Sequence, residues 1–210
     1  MKNIYMLLMA TLSFVSGYSQ VKKEAATPRD TTESFILTIN GKEYVVRESV
    51  PLNIKGAIAN PVITVRLPEF KKFESGGVSF DYPRHMSVVA DESEGLKDWT
   101  LSGNDFIVLY YEFTAQVSLG DIVDEVVSKF GKENCSVSIV ERTLGGRKLT
   151  GKRIDISMAG QKLIQEFLEI KLTDGKERII AFQQTPEDNG SNIAEWTKGL
   201  SVIDRTIQYH

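Results

Sequence analysis

Two histidines, one cysteine and 28 acidic side chains are what this 210-residue chain offers for nucleophilic, acid–base or metal chemistry. A Ser-His-Asp or Cys-His arrangement would have to use His85, which follows Pro83-Arg84 at a predicted strand end, or the terminal His210. No Gly-x-Ser-x-Gly elbow surrounds any serine, so His85 reads as a solvated turn residue. Cys135 opens the run Cys135-Ser136-Val137-Ser138-Ile139-Val140, where alternate residues are apolar as in a half-buried strand, and it reads as a small core residue. A lone thiol allows no internal disulfide. Zinc needs more ligands than two scattered histidines and one cysteine supply. The run Asp91-Glu92-Ser93-Glu94-Gly95 comes nearest to a hard-cation site, since calcium takes about six to eight oxygens. It lacks the alternating ligands and distant bidentate glutamate of an EF-hand, and reads as a solvated loop. Leu144-Gly145-Gly146-Arg147-Lys148 reads as a turn between strands rather than a phosphate cradle, because no helix follows it. A distant carboxylate pair would suit glycoside hydrolysis, but 28 acids single out none. The sequence assigns no catalytic residue, no metal ligand and no cofactor.

The first nineteen residues bear on destination. Lys2 supplies a positive start, Ile4 to Val15 is apolar and uncharged, and Gly17 and Ser19 are small residues placed for a signal peptidase. The expected cut falls between Ser19 and Gln20. The run is short for a membrane span, which takes roughly 20 apolar residues. The mature product is therefore expected to be exported, soluble and free of membrane spans, in the periplasm or outside the cell. Removing Lys2 with the leader moves the net charge from −3 to −4. A mildly acidic, mixed surface argues against nucleic-acid and anionic-membrane partners, which need clustered Lys and Arg. The basic stretches at Lys71-Lys72 and Arg147 to Arg153 read as exposed faces.

Positioning falls to a β-rich pattern. Residues 20–33 are polar and read as a flexible tail. Phe35 to Ile39 and Glu43 to Arg47 flank Asn40-Gly41, a strong hairpin signal because both turn residues tolerate positive φ. Val62 to Leu67 reads as a strand bounded by Pro61 and Pro68. Val78, Phe80 and Tyr82 alternate up to Pro83. Trp99 to Leu101 and Phe106 to Phe113 read as an antiparallel pair, its second strand apolar on both faces and so central in its sheet. Tyr110 and Tyr111 point to opposite faces, and with Trp99 they read as core, or as partner anchors if exposed. Ser118 to Gly131 is a helix with a Ser118/Asp121 capping box and a Gly131 stop. Its stripe of Leu119, Ile122, Val123, Val126, Val127 and Phe130 needs a sheet to pack on. Arg153 to Met158 and a hairpin about Asp174-Gly175 follow, with Ile154, Ile156 and Met158 facing inward. A last helix runs from Asn192 to about Arg205, with Asn192 and Glu195 at capping spacing and Gly199 weakening it.

From about residue 69 to 210, this order and the phrase Gly77-Val78-Ser79-Phe80-Asp81-Tyr82-Pro83 resemble the PsbP-like α/β/α sandwich superfamily, including DcrB-like bacterial envelope proteins. Val78 stands where that family's first aromatic is usual. The resemblance implies an α+β fold, an antiparallel sheet sandwiched by helices, with residues 34–68 as a β-rich N-terminal extension. It also implies a scaffold for binding and assembly with no shared catalytic set. The expectation is a non-enzymatic, exported accessory module of the bacterial cell envelope that contacts a protein partner. A secreted hydrolase using two carboxylates and a carrier of a small ligand are the alternatives.

Overall fold

The structure, a computed structural model, describes residues 34–47, 50–56, 58 and 60–210. The expected leader, its Ser19–Gln20 cut and the tail to Glu33 lie outside the described residues. A hairpin opens the fold: β1 (Ser34–Ile39) and β2 (Lys42–Arg47) turn at Asn40 (φ 48°) and Gly41 (φ 81°), as their residue types dictate. Strand β3 (Ile63–Arg66) joins β1 on its other side, giving a three-stranded sheet in the order β2-β1-β3. The prolines at 61 and 68 bracket β3, since neither can donate to a ladder.

Next come β4 (Phe70–Ser75), β5 (Val78–Pro83), β6 (Ser87–Ser93), β7 (Leu96–Ser102) and β8 (Phe106–Phe113). Helix α1 (Leu119–Phe130) starts at Ser118, whose hydroxyl accepts from the Asp121 N–H while the Asp121 carboxylate accepts from the Ser118 N–H. It ends at Gly131, whose φ of 87° and ψ of 134° differ from the left-handed stop expected there. Strands β9 (Cys135–Leu144), β10 (Arg147–Met158), β11 (Gln161–Lys171) and β12 (Glu177–Gln184) meander through glycine turns to α2 (Ala194–Thr206) and the short β13 (Gln208–Tyr209).

Seven strands form one antiparallel sheet in the order β6-β7-β8-β12-β11-β10-β9. As its two-sided apolar sequence requires, β8 lies inside, between β7 and β12. Side chains of Val108, Tyr110, Leu168, Ile180 and Phe182 feed a core on one face, and Leu109, Tyr111, Phe167, Ile179 and Ala181 a core on the other. Helix α1 covers the second face with Leu119, Val123 and Val126.

The expected helix-sandwiched α+β sheet is not what forms. The described chain is mostly β, thirteen strands in three antiparallel sheets against two α-helices. A third sheet, in the order β13-β5-β4, shares the cover of the first face with α2. Val78, Phe80 and Tyr82 belong to it, stacking Phe80 on Phe73 with ring centroids 4.7 Å apart. The reason is local: β5 pairs with β4 on one side and β13 on the other, so its apolar phrase covers the large sheet instead of extending it. Among the described residues no helix is long and apolar enough to cross a membrane.

Candidate interaction sites

The two histidines occupy different environments. His85 lies just after β5, half exposed, with Nε2 2.6 Å from Oε1 of Glu195 in the first turn of α2. Glu195 also accepts from the N–H groups of Asn104 (3.1 Å) and Asp105 (2.8 Å) in the β7–β8 turn. Gly103 is the residue that lets the carboxylate come so close, because a Cβ there would strike it. Burial pushes the Glu195 carboxyl up, but the Asp105 N–H, the His85 ring and the Asn104 N–H outweigh it and hold it below its ordinary value. The imidazole and carboxylate line a cleft of about 90 Å³ with Glu69, Pro83, Arg84 and Lys198. Lys198 pairs with Glu69 at 2.8 Å, and Arg84 Nε donates to the Pro68 carbonyl at 2.7 Å. None of the lining residues is a serine, threonine or cysteine, so the His–Glu pair has no hydroxyl or thiol to activate within the cleft. A volume of about 90 Å³ is small against the several hundred Å³ of a drug-sized ligand site. His85 is thus a solvated turn residue, as expected, but a tethered one. No spacing rule foretells its contact with Glu195, 110 residues away.

His210 meets a serine, with Nε2 3.3 Å from Ser79 Oγ. Ser79 is completely buried on β5, so that hydroxyl faces packed protein and no substrate can reach it. The acidic run falls on the β6–β7 hairpin, where Glu92 pairs with Lys97 at 2.8 Å. Among the described residues no three His, Cys, Asp or Glu side chains are placed to hold a metal ion. Buried charge is concentrated elsewhere. Arg178 on β12 is clamped by Asp174 through two hydrogen bonds, which hold the Asp174 carboxyl down at about 2. Beside it lies Glu112, paired with Lys176 at 2.5 Å, against Gly76 of the β4–β5 turn. On β11 the buried Glu166 binds Arg142 of β9 and Arg153 of β10. These pairs tie strands together and open onto no described cleft.

Trp99 and Tyr110 pack with Phe73 inside the first core, ring centroids 5.7 Å apart, and Tyr111 lies in the second. Tyr110 and Tyr111 are buried, and Trp99 is partly buried against the first core. Apolar side chains reach solvent on the β1–β3 sheet (Val45, Ile63, Val65), on β6 (Val88, Val89) and along β9. This strand closes one edge of the seven-stranded sheet, and no described strand pairs with its outer side. From Cys135 to Val140 it carries no charge. Val137 is 44 % exposed and Ile139 71 %, on the face where α1 packs over the neighbouring β10. The expectation of a half-buried strand thus holds for Cys135, which packs at the rim of the second core, but not for Val137 and Ile139. Met158, expected to face inward, is likewise 42 % exposed at the end of β10.

No protein-family model matches the chain, and no curated protein does. Several solved structures are similar, two of them as follows. LpqN, involved in cell envelope biogenesis of Mycobacterium tuberculosis, is 14 % identical over 62 % of this chain and 82 % of its own, with a TM-score of 0.37. A mutant of the protein Mog1 is 10 % identical over 67 % of this chain and 95 % of its own, with a TM-score of 0.42. Likenesses this distant carry no function across to the chain.

Proposed function

We propose that this chain is an exported, non-enzymatic accessory module of the bacterial cell envelope, and that it binds an extended segment of a protein partner along β9. One observation carries the reading: a ten-residue edge strand with no described strand paired on one side, uncharged through its first six residues and exposing Val137 and Ile139. Soluble proteins ordinarily blunt such an edge with charge, proline or a covering loop, because unpaired N–H and C=O groups recruit another strand. Strand addition supplies main-chain hydrogen bonds, while alternate side chains supply selectivity. Val137 and Ile139, two residues apart, are that alternation. Export rests on the leader, and the PsbP-like phrase of β5 is in keeping with a scaffold role.

A photo-crosslinking amino acid at position 139, in the full chain made by its own cells, should give a discrete adduct. The same probe at Val89 on the opposite edge should not. Adduct formation should also compete with a peptide copied from the crosslinked partner. No adduct at 139, or equal adducts at both positions, would reject strand addition at β9.

A further inference from the structure

The other edge of the large sheet holds a column of polar groups beneath α1. Cross-strand register sets Asp91 on β6 opposite Asp98 on β7, and Asp98 opposite Tyr111 on β8. Residues paired in this way share a face, so all three stand on the α1 side. Tyr111 is only 6 % exposed, and its hydroxyl is buried with no hydrogen-bond partner. The groups acting on this pair can be named element by element. Strand β6 brings Asp91, β8 brings Tyr111, and α1 brings Glu125, which is tied to Lys129 at 2.8 Å. The neighbours of Asp98 on its own face of β7, Leu96 and Thr100, are neutral. No described ion pair brings a cation to Asp91 or Asp98.

Two carboxylates set directly opposite each other destabilise a strand pair. A proton on Asp98 relieves that cost, because a neutral carboxyl is not repelled by the Asp91 charge. We propose that a proton on Asp98, opposite Asp91 in the register, forms an acid-held latch, fastening edge strand β6 to the sheet in weak acid and loosening it towards neutral pH. Burial first, and then Asp91, raise Asp98 from the ordinary aspartate value to about 6. The sign follows from linkage. The folded state holds this proton more tightly than the unfolded chain, so no penalty exists below the ordinary aspartate range. Stability then falls as pH climbs from that range through about 6.

Amide hydrogen exchange by NMR, on the full chain between pH 4.5 and 8 and corrected for intrinsic rates, tests the latch. Each unit of pKa shift corresponds to about a tenfold change, and part is lost to solvent screening. Protection of β6 amides should therefore fall roughly tenfold with a midpoint near 6, while β11 and β12 amides stay flat. Asp98→Asn should keep the high protection at pH 5 and abolish the pH dependence. Should that variant fail to fold, Asp91→Asn should shift the wild-type midpoint downward. A flat wild-type profile, an unaltered profile in Asp98→Asn or an unmoved midpoint in Asp91→Asn would overturn the proposal. A midpoint that moves with added calcium at constant ionic strength would do so too, since the pair would then hold a cation instead of a proton.

Discussion

Strands β6 and β9 are the two outer strands of one sheet, each exposing two large apolar side chains, yet charge enters β6 earlier along the strand than it enters β9. Seven residues long, β6 follows exposed Val88 and Val89 with Asp91 and Glu92, and Glu94 stands in its turn. The ten residues of β9 show two apolar side chains on one face before the first charge, Glu141. Charge on an edge deters pairing with a stranger, and its absence permits it. The strands also differ in how they are held from behind. Against β9 lies a buried ionic knot, Glu166 with Arg142 and Arg153, whereas β6 has an exposed Glu92–Lys97 pair and two opposed aspartates. One edge is tied from behind by a buried carboxylate serving two guanidiniums, and the other carries charge and has two opposed aspartates behind it. An edge tied from behind is what a binding strand needs, because ordering it has already been done in folding.

Breaking the support of β9 should cost most. Gly151 on β10 pairs with Val140 of β9 and Leu168 of β11, and a Cβ at 151 would collide with the Phe167 carbonyl. Backbone cannot step aside as a side chain can, so Gly151→Ala should lower stability by about 3 kcal/mol in urea denaturation. At the other edge Gly95→Ala meets only Thr114 Oγ1 at 3.6 Å and suffers the left-handed φ of 87° alone, about 1 kcal/mol. Equal losses would erase the contrast in how the edges are held. Next in size is Glu166→Gln. The carboxylate is 1 % exposed and serves two guanidiniums, so removing its charge should cost about 2 kcal/mol. The matching Glu92→Gln, at a solvent-exposed pair, should stay within about 0.5 kcal/mol.

Glu195→Gln probes the tether that fixes the β7–β8 turn to α2, and about 1.5 kcal/mol is expected from weakening the bonds to His85, Asn104 and Asp105. Its pH signature is the reverse of the Asp98 latch. The Glu195 carboxyl is held below its ordinary value, so its contribution is full above the glutamate range and is lost as pH falls through the folded value. The stability gap between wild type and Glu195→Gln should therefore be full above the glutamate range and shrink as pH falls through the folded value, and a gap that stays constant into acid would contradict this assignment.

How much of this could be read from residues alone varies with distance along the chain. Local chemistry was legible: Asn40-Gly41 makes its turn, and Ser118 and Asp121 close their capping box. Helix α2 shows how such a signal is overridden. Asn192 has capping spacing, but its side chain accepts from Gln184 Nε2 at 2.5 Å, leaving Ile193 at the cap. Gly199, read as a weak point, is where the helix comes against the Phe106 ring, and a Cβ would strike it. Strand β4 escaped notice because Lys71 and Lys72 break the rhythm of Phe70 and Phe73. The β4–β5 pair is part of the third sheet, whereas the helices expected on both faces come from the PsbP-like resemblance. Period-two alternation in β9 was correct, but it states which residues share a face and not whether anything covers that face. The His85–Glu195 tether joins residues 110 apart, which no local pattern encodes.

The smallest expected effect on stability is the most telling for function. Ile139 is 71 % exposed on β9, so Ile139→Lys removes little buried area and should alter the urea midpoint by less than about 0.5 kcal/mol. A lysine there supplies the edge charge that β6 already carries, making the two edges alike. If strand addition at β9 is the activity, crosslinking from a probe at Val137 should collapse in this variant while folding, β6 exchange and the His85 tether stay as they are. Undiminished crosslinking would mean that the partner reads some other surface, and the contrast between the edges would then describe how this sheet avoids fraying, with no bearing on what it binds.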